Sequence, residues 1–278
     1  MDLARKKLFL LDLDGTIYLE ETLLPGAADF LAYVRKTGGT YRFLTNNSSR
    51  GVDAGLEKMR RLGIPAERED FLTAVEATIH YLHKNRAPAD VYYVVGTDSF
   101  RRQLAEAGFA LRDGAAGDVT AVLVGFDTEL TYQKIENACR LLARGADFLA
   151  TNPDLACPTQ FGFIPDCGSI CQMLTNACGR RPVFIGKPDP TMIHLAWEQT
   201  GYGSAETLMV GDRLYTDIAC GFNAGTDTAL VLTGEATAAD AAVSRTPPTA
   251  VYRDCGALLA ALRAAREEPD TRKKESET

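Results

Sequence analysis

This 278-residue chain has no apolar run near the roughly 20 residues that a membrane-spanning helix needs, which excludes an integral membrane protein of that kind. Positive charge is not in excess. The 30 Lys and Arg against 37 Asp and Glu leave a net charge of −7, which argues against nucleic acid or an anionic membrane as the partner. Histidine is scarce: His80, His83 and His194 are the only three, and they form no metal-ligand spacing. The seven cysteines contain no C-x-x-C pair. Their odd number, in a chain whose first apolar strand leaves no room for a cleavable signal peptide, points to free thiols in a cytoplasmic protein. No G-x-G-x-x-G follows an apolar run, so the dinucleotide signature is missing. Gly186-Lys187 is followed by Pro188 where a phosphate-loop nucleotidase needs Ser or Thr for its metal, which excludes that reading.

What the chain does have is four short strings, each after an apolar run that reads as a buried strand. They are Leu11-Asp12-Leu13-Asp14-Gly15-Thr16, Leu44-Thr45-Asn46, Gly186-Lys187-Pro188 and Gly211-Asp212-Arg213-Leu214-Tyr215-Thr216-Asp217. The runs before them are Lys7 to Leu11, Tyr41 to Leu44, Val183 to Ile185 and Leu208 to Val210. Ligands of open α/β sheets bind beyond the carboxyl ends of parallel strands, so these residues are expected to meet in one crevice. Asp12 and Asp14, two apart with a Gly-Thr turn behind them, suit a nucleophile beside an acid/base. Asp212 and Asp217 add two more acids, and crowded carboxylates call for a divalent cation and for Lys187. Thr45 can hydrogen-bond a phosphate oxygen, and Ser48-Ser49-Arg50 reads as the capped start of a helix. Each string alone also reads as an ordinary turn or cap. Their joint occurrence, in order and at strand ends, favours phosphoryl chemistry.

Strands and helices alternate along the chain, as in a parallel sheet covered on both faces. Ile17 to Leu19 and Thr22 to Leu24 suggest a hairpin flap, and a helix opens after Pro25-Gly26. Further helices read at Val52 to Leu62 and Ala74 to Lys84. A second series follows from about Pro88, with strands at 91–95, 121–124 and 148–150 and helices at 99–107, 132–144 and 168–178. In the last of these, Cys167, Cys171 and Cys178 fall at helical spacing, which suits packing against a core. Thr45 and Lys187 are separated by more than half the chain yet must meet. The expected organisation is therefore a discontinuous Rossmann-like α/β core over 1–85 and 181–266, an inserted α/β cap over 86–180, and a disordered charged tail over 267–278.

The four strings resemble the motifs of the haloacid dehalogenase superfamily of aspartate-nucleophile phosphatases. Thr45-Asn46, Ala150-Thr151-Asn152-Pro153-Asp154 and Gly168 after Pro165 resemble its NagD-like, p-nitrophenylphosphatase branch. The resemblance implies Asp12 as nucleophile and Asp14 as general acid and base. It implies Thr45, Asn46 and Lys187 as phosphate binders, and Mg2+ held by Asp12, Asp14 and Asp212 with Asp217 behind it. The implied activity is hydrolysis of a small phosphorylated metabolite through an aspartyl-phosphate. A phosphomutase or a catalytically silent phosphate-binding regulator is the alternative. The mutases carry a large helical cap between the first two motifs, and the interval from Asp12 to Thr45 is too short for one. Asn152, Asp154 and Asp166 are the cap's polar candidates for substrate selection, and relatives in the branch suggest a homodimer through the cap.

Overall fold

The computed structural model describes residues 1–49, 51–159 and 161–267. Packing divides it into two units: residues 1–41 with those from 201 onward, and residues 42–200. Among the described residues no helix is long and apolar enough to cross a membrane.

The first unit is built on parallel strands in the order Ala250–Tyr252, Asp227–Val231, Thr207–Gly211, Leu8–Leu11. Leu8–Leu11 and Thr207–Gly211 are buried along their whole length, the pattern of a sheet covered on both faces rather than of an amphipathic strand. Helix Ala27–Lys36 packs on helix Cys255–Glu267. Phe30, Leu31 and Val34 of the first and Leu258, Leu259 and Leu262 of the second are buried, and Phe30 meets the edge of Phe9 at 5.4 Å between ring centres. The flap expected after Gly15 is an antiparallel hairpin, Tyr18–Leu19 with Thr22–Leu23. Strand Thr40–Thr45 begins in this unit, Thr40 N donating to Lys7 O at 2.7 Å.

The second unit carries a five-stranded parallel sheet in the order Val183–Phe184, Asp147–Ala150, Ala121–Val124, Val91–Val95, Ala110–Leu111. The alternation of a strand sends Tyr92 and Val94 to one face and Tyr93 and Val95 to the other. On the first face they pack with Phe100 and Leu104 of helix Asp98–Glu106 and Val75 and Leu82 of helix Ala74–Asn85. On the second they pack with Ile135 and Leu141 of helix Tyr132–Ala143 and Cys167, Ile170, Cys171 and Leu174 of helix Cys167–Cys178, with Cys178 against the same core.

Two expectations are corrected here. The run Val183 to Ile185 was expected to resume the first series near Arg181; instead Val183–Phe184 pairs with Leu149 and Ala150 as an edge strand of the five-stranded sheet. Its apolar run cannot say which parallel neighbour it will take. Ser48 and Ser49 do not cap a helix: helix Val52–Arg61 starts from Gly51 with no side-chain cap. Ser48 Oγ instead accepts from Phe126 N at 2.9 Å, and Ser49 N donates to Asn47 Oδ1 at 2.9 Å. Arg50 and residues 268–278 of the tail expected over 267–278 lie outside the described residues; Glu267, expected to open that tail, instead ends the last helix. Segment 86–180 lies within the second unit, which is the broader of the two.

Phe100 shows how tightly the second unit is packed. A Cβ on Gly96 or Gly125 would come within 2.5 or 2.9 Å of its ring, so the ring rests on bare backbone at two strand ends. Phe100→Ala should cost about 3 to 5 kcal/mol of stability, because neighbours held by the sheet cannot collapse into the space. Urea unfolding of wild type and variant measures it, and a loss under about 1 kcal/mol would show that the site closes up.

Candidate active site

In the first unit, Asp12 leaves the carboxyl end of Leu8–Leu11 with its amide donating to Val210 O at 2.9 Å. Asp212 leaves the neighbouring strand Thr207–Gly211, and the parallel register Leu11↔Val210 sets the two acids side by side. One turn of π-helix, Leu214–Ile218, brings Asp217 back, and Arg213 N donates to its Oδ2 at 3.2 Å. Carboxylate oxygens of Asp12, Asp212 and Asp217 lie within 4.8 Å of one another. Asp212 and Asp217 are buried and Asp12 is half-buried. Asp14 is exposed and its side chain stands outside the group; its backbone bridges to Tyr18 where the turn folds back. Of the expected ligands, then, the structure gathers the side chains of Asp12 and Asp212. It adds Asp217, which was expected only behind the metal.

Glycine makes this crowding possible. A Cβ on Gly15 would stand 2.6 Å from Asp212 Oδ2, on Gly234 2.0 Å from the same atom, and on Gly211 2.4 Å from Asp217 Oδ2. Gly15 also has φ +86°, which side-chain-bearing residues rarely adopt, so the Asp14-Gly15 turn needs glycine twice over. Thr233 Oγ1 donates to Gly15 O at 2.6 Å and Glu235 N to Asp212 Oδ2 at 2.8 Å. Thr233, Gly234 and Glu235 went unnoticed in the sequence. Their signal was there, a further apolar run, Ala229 to Leu232, ending in Thr-Gly.

Like charges about 4 Å apart repel by roughly 4 kcal/mol at an effective dielectric near 20, so three ionised carboxylates cannot share this space unaided. Burial first, then Asp12 and Asp217, push the Asp212 carboxyl up to about 8. Burial, with Asp14, Asp12 and Glu21, likewise raises the Tyr18 hydroxyl above its ordinary range. Asp212 Oδ1 is buried and has no hydrogen-bond partner among the described residues. Hard carboxylate oxygens, one of them unsatisfied, fit a divalent cation such as Mg2+ or Ca2+.

In the second unit, Asn46, Lys187, Asn152 and Asp154 form a buried knot. Asn46 Nδ2 donates to Asp154 Oδ2 (3.1 Å) and Lys187 O (3.0 Å), while Asn46 Oδ1 accepts from Lys187 N at 3.0 Å. The side-chain amide of Asn46 is thus committed to holding Lys187, whose Nζ donates to Leu44 O at 3.1 Å. Asn152 Nδ2 donates to Asn46 O at 2.7 Å, and Asp154 N to Asn152 Oδ1 at 3.0 Å. Asp166 accepts from Cys167 N and caps helix Cys167–Cys178. The three residues expected to select substrate are all buried in structural roles. Asn152 and Asp154 support the Asn46 loop, and Asp166 is a helix cap. Thr45 Oγ1 accepts from Asn47 N at 3.1 Å, a bond that leaves its hydroxyl proton to donate. The Gly-Lys-Pro string ends in the cap reading too: Asp189 Oδ1 accepts from Thr191 N at 2.9 Å at the head of helix Thr191–Thr200.

Asp212 links pH to stability in a definite direction. With its carboxyl raised to about 8 in the folded, metal-free protein, the proton it holds there stabilises the fold. That contribution is complete below about pH 4, the ordinary carboxylate value, and is lost as pH rises through the folded value. The thermal midpoint of EDTA-treated protein should therefore fall between about pH 5.5 and pH 8.5, and MgCl2, which displaces the proton, should raise it most at the alkaline end. A metal-free midpoint that is flat over this window, with equal stabilisation by MgCl2 throughout, would contradict the raised carboxyl.

Comparison with known proteins shows the family. The haloacid dehalogenase-like hydrolase family matches residues 9–110, and a second, HAD-hydrolase-like family matches residues 184–258. An acid sugar phosphatase of Staphylococcus aureus is 36% identical over 256 residues, covering 92% of this chain and 98% of its own. The crystal structure of a 4-nitrophenylphosphatase from Thermotoga maritima superposes with a TM-score of 0.88 at 35% identity, covering 94% of this chain and 99% of its own. A glycerol phosphate phosphatase of Mycobacterium tuberculosis, crystallised with magnesium, gives 0.86 at 30% identity over 96% of this chain and 79% of its own. With relatives this similar over nearly its whole length, the chain belongs to the haloacid dehalogenase-like hydrolases.

Proposed function

We propose that this protein hydrolyses small phosphomonoesters with Mg2+ through an aspartyl-phosphate. The observation that carries the reading is the group of three carboxylates beyond two adjacent strands, with Asp212 Oδ1 buried and without a hydrogen-bond partner among the described residues, in a family whose similar members are named phosphatases. Asp12 attacks phosphorus in line, its new bond to phosphorus forming as the bond to the alcohol oxygen breaks. Asp14, exposed two residues on, gives that oxygen a proton. It then takes a proton from the water that attacks the same phosphorus, which releases inorganic phosphate and restores the Asp12 carboxylate. Asp12, Asp212 and Asp217 would hold the cation, which when bound neutralises charge on the phosphoryl oxygens. Thr45 and Lys187 are the proposed phosphate donors, and Asn46 serves by fixing Lys187.

Substrate choice is assigned to segment 86–180 acting as a cap. With Asn152, Asp154 and Asp166 committed to structure, the side chains this segment offers are those around hairpin Ala156–Thr159 and Gly162–Pro165, where Leu155, Phe161 and Phe163 are exposed. A homodimer through the cap would draw on the same apolar residues. An acid sugar phosphatase and a glycerol phosphate phosphatase among the relatives make sugar and polyol phosphates the first substrates to try. The free cysteines support the cytoplasm as the working compartment.

Asp12→Asn should leave a folded protein with almost no turnover of p-nitrophenyl phosphate in MgCl2, since the covalent route is lost. Circular dichroism checks the fold. Retention of more than about a tenth of wild-type kcat/KM, a loss of only ~1.4 kcal/mol in the barrier, would overturn the role of Asp12.

A further inference from the structure

Among the described residues Asp212 has one hydrogen-bonded and one unsatisfied oxygen, and a single loop makes the difference. Strand Asp227–Val231 runs parallel to Thr207–Gly211 with Gly211 opposite Leu230, so the residues that follow it lie alongside Asp212. Ala236 N donates to Asp212 O at 3.1 Å, Glu235 N to Asp212 Oδ2 at 2.8 Å, and Thr233 Oγ1 to Gly15 O at 2.6 Å. Gly234 lies between, and a Cβ there would be 2.0 Å from Asp212 Oδ2. The Glu235 side chain reaches the other way. Its Oε2 accepts from Tyr215 Oη at 3.2 Å and pairs with Arg213 Nε at 3.2 Å, and Arg213 N holds Asp217 Oδ2 at 3.2 Å.

We propose that Glu235 is a positioning residue for the cation: its side chain, held by Arg213 and Tyr215, fixes the loop whose amide holds one oxygen of Asp212, so that the other is presented to the metal. Its carboxylate ties that loop to the Arg213–Tyr215 segment leading to Asp217. The proposal rests on the metal-dependent phosphatase reading. Geometry gives it content beyond stability. The Glu235 side chain is 51% exposed, and an ion pair that open contributes little to folding, whereas a displacement of Asp212 acts directly on a ligand. Gly234 is the steric half of the same device, because any side chain there must push the carboxylate aside.

The test measures Mg2+ binding by calorimetry on the full-length protein, with thermal midpoints in EDTA and kcat over a range of MgCl2. Glu235→Ala should weaken Mg2+ binding about 10-fold while leaving the metal-free midpoint close to that of wild type, with kcat recovering at high MgCl2. Glu235→Gln, which can still accept from Tyr215, should recover part of the affinity. Gly234→Ala should lose about 10- to 100-fold. If Gly234→Ala does not fold, Glu235→Ala decides alone. Wild-type Mg2+ affinity in Glu235→Ala would overturn the positioning role while leaving the phosphatase reading in place. A wild-type protein that binds no Mg2+ would overturn both.

Discussion

Three carboxylates held within a few ångströms of one another at the ends of two neighbouring parallel strands are the constraint around which the first unit is arranged. The register fixes Asp12 beside Asp212, and the π-turn returns Asp217 to them. Glycine is then required wherever backbone passes the cluster, at Gly15, Gly211 and Gly234. A carboxylate cluster of this kind opposes folding until a proton or a cation compensates it. Local strain at a functional site is supported by the rigid scaffold on either side, here two strands buried along their full length.

The second unit solves a different problem, how to place one lysine. Lys187 follows an edge strand of the five-stranded sheet and is held through both its amide and its carbonyl by Asn46. Asn152 and Asp154 in turn hold Asn46 and its loop. The polar groups are buried and joined to one another by these hydrogen bonds, which lets the network specify one geometry. Residues that looked available for a substrate are the ones that build this support.

Much of this was legible in the chain. Helices Ala27–Lys36, Ala74–Asn85 and Tyr132–Ala143 and strands Val91–Val95 and Ala121–Val124 lie where periodicity and turn residues put them, because their buried faces are encoded locally. The acids at strand ends were legible because Asp beside an apolar run is chemically conspicuous. Pairing was not. Nothing in Val183-Phe184 says that its neighbour is Leu149-Ala150, since a short apolar run suits any parallel partner. Nor could spacing distinguish a carboxylate aimed at a ligand from one that caps its own helix, as Asp166 does. Glu235 was hidden because its amide carries no residue-type signature and the partners of its carboxylate, Arg213 and Tyr215, lie far from it in sequence.

The pairing of Leu8 with Thr207 has a consequence for biosynthesis. In synthesis from the amino end, Asp12 precedes the strand it lies beside by the whole of residues 42–200. That intervening stretch is contiguous and has its own helix-covered sheet, so vectorial folding of domains lets it order before the first unit can close. Its folding also shortens the loop that separates the two strands and so lowers the entropy of bringing them together. Asp12 is thus made well before Asp212 and Asp217 and joins them only when strands Leu8–Leu11 and Thr207–Gly211 pair.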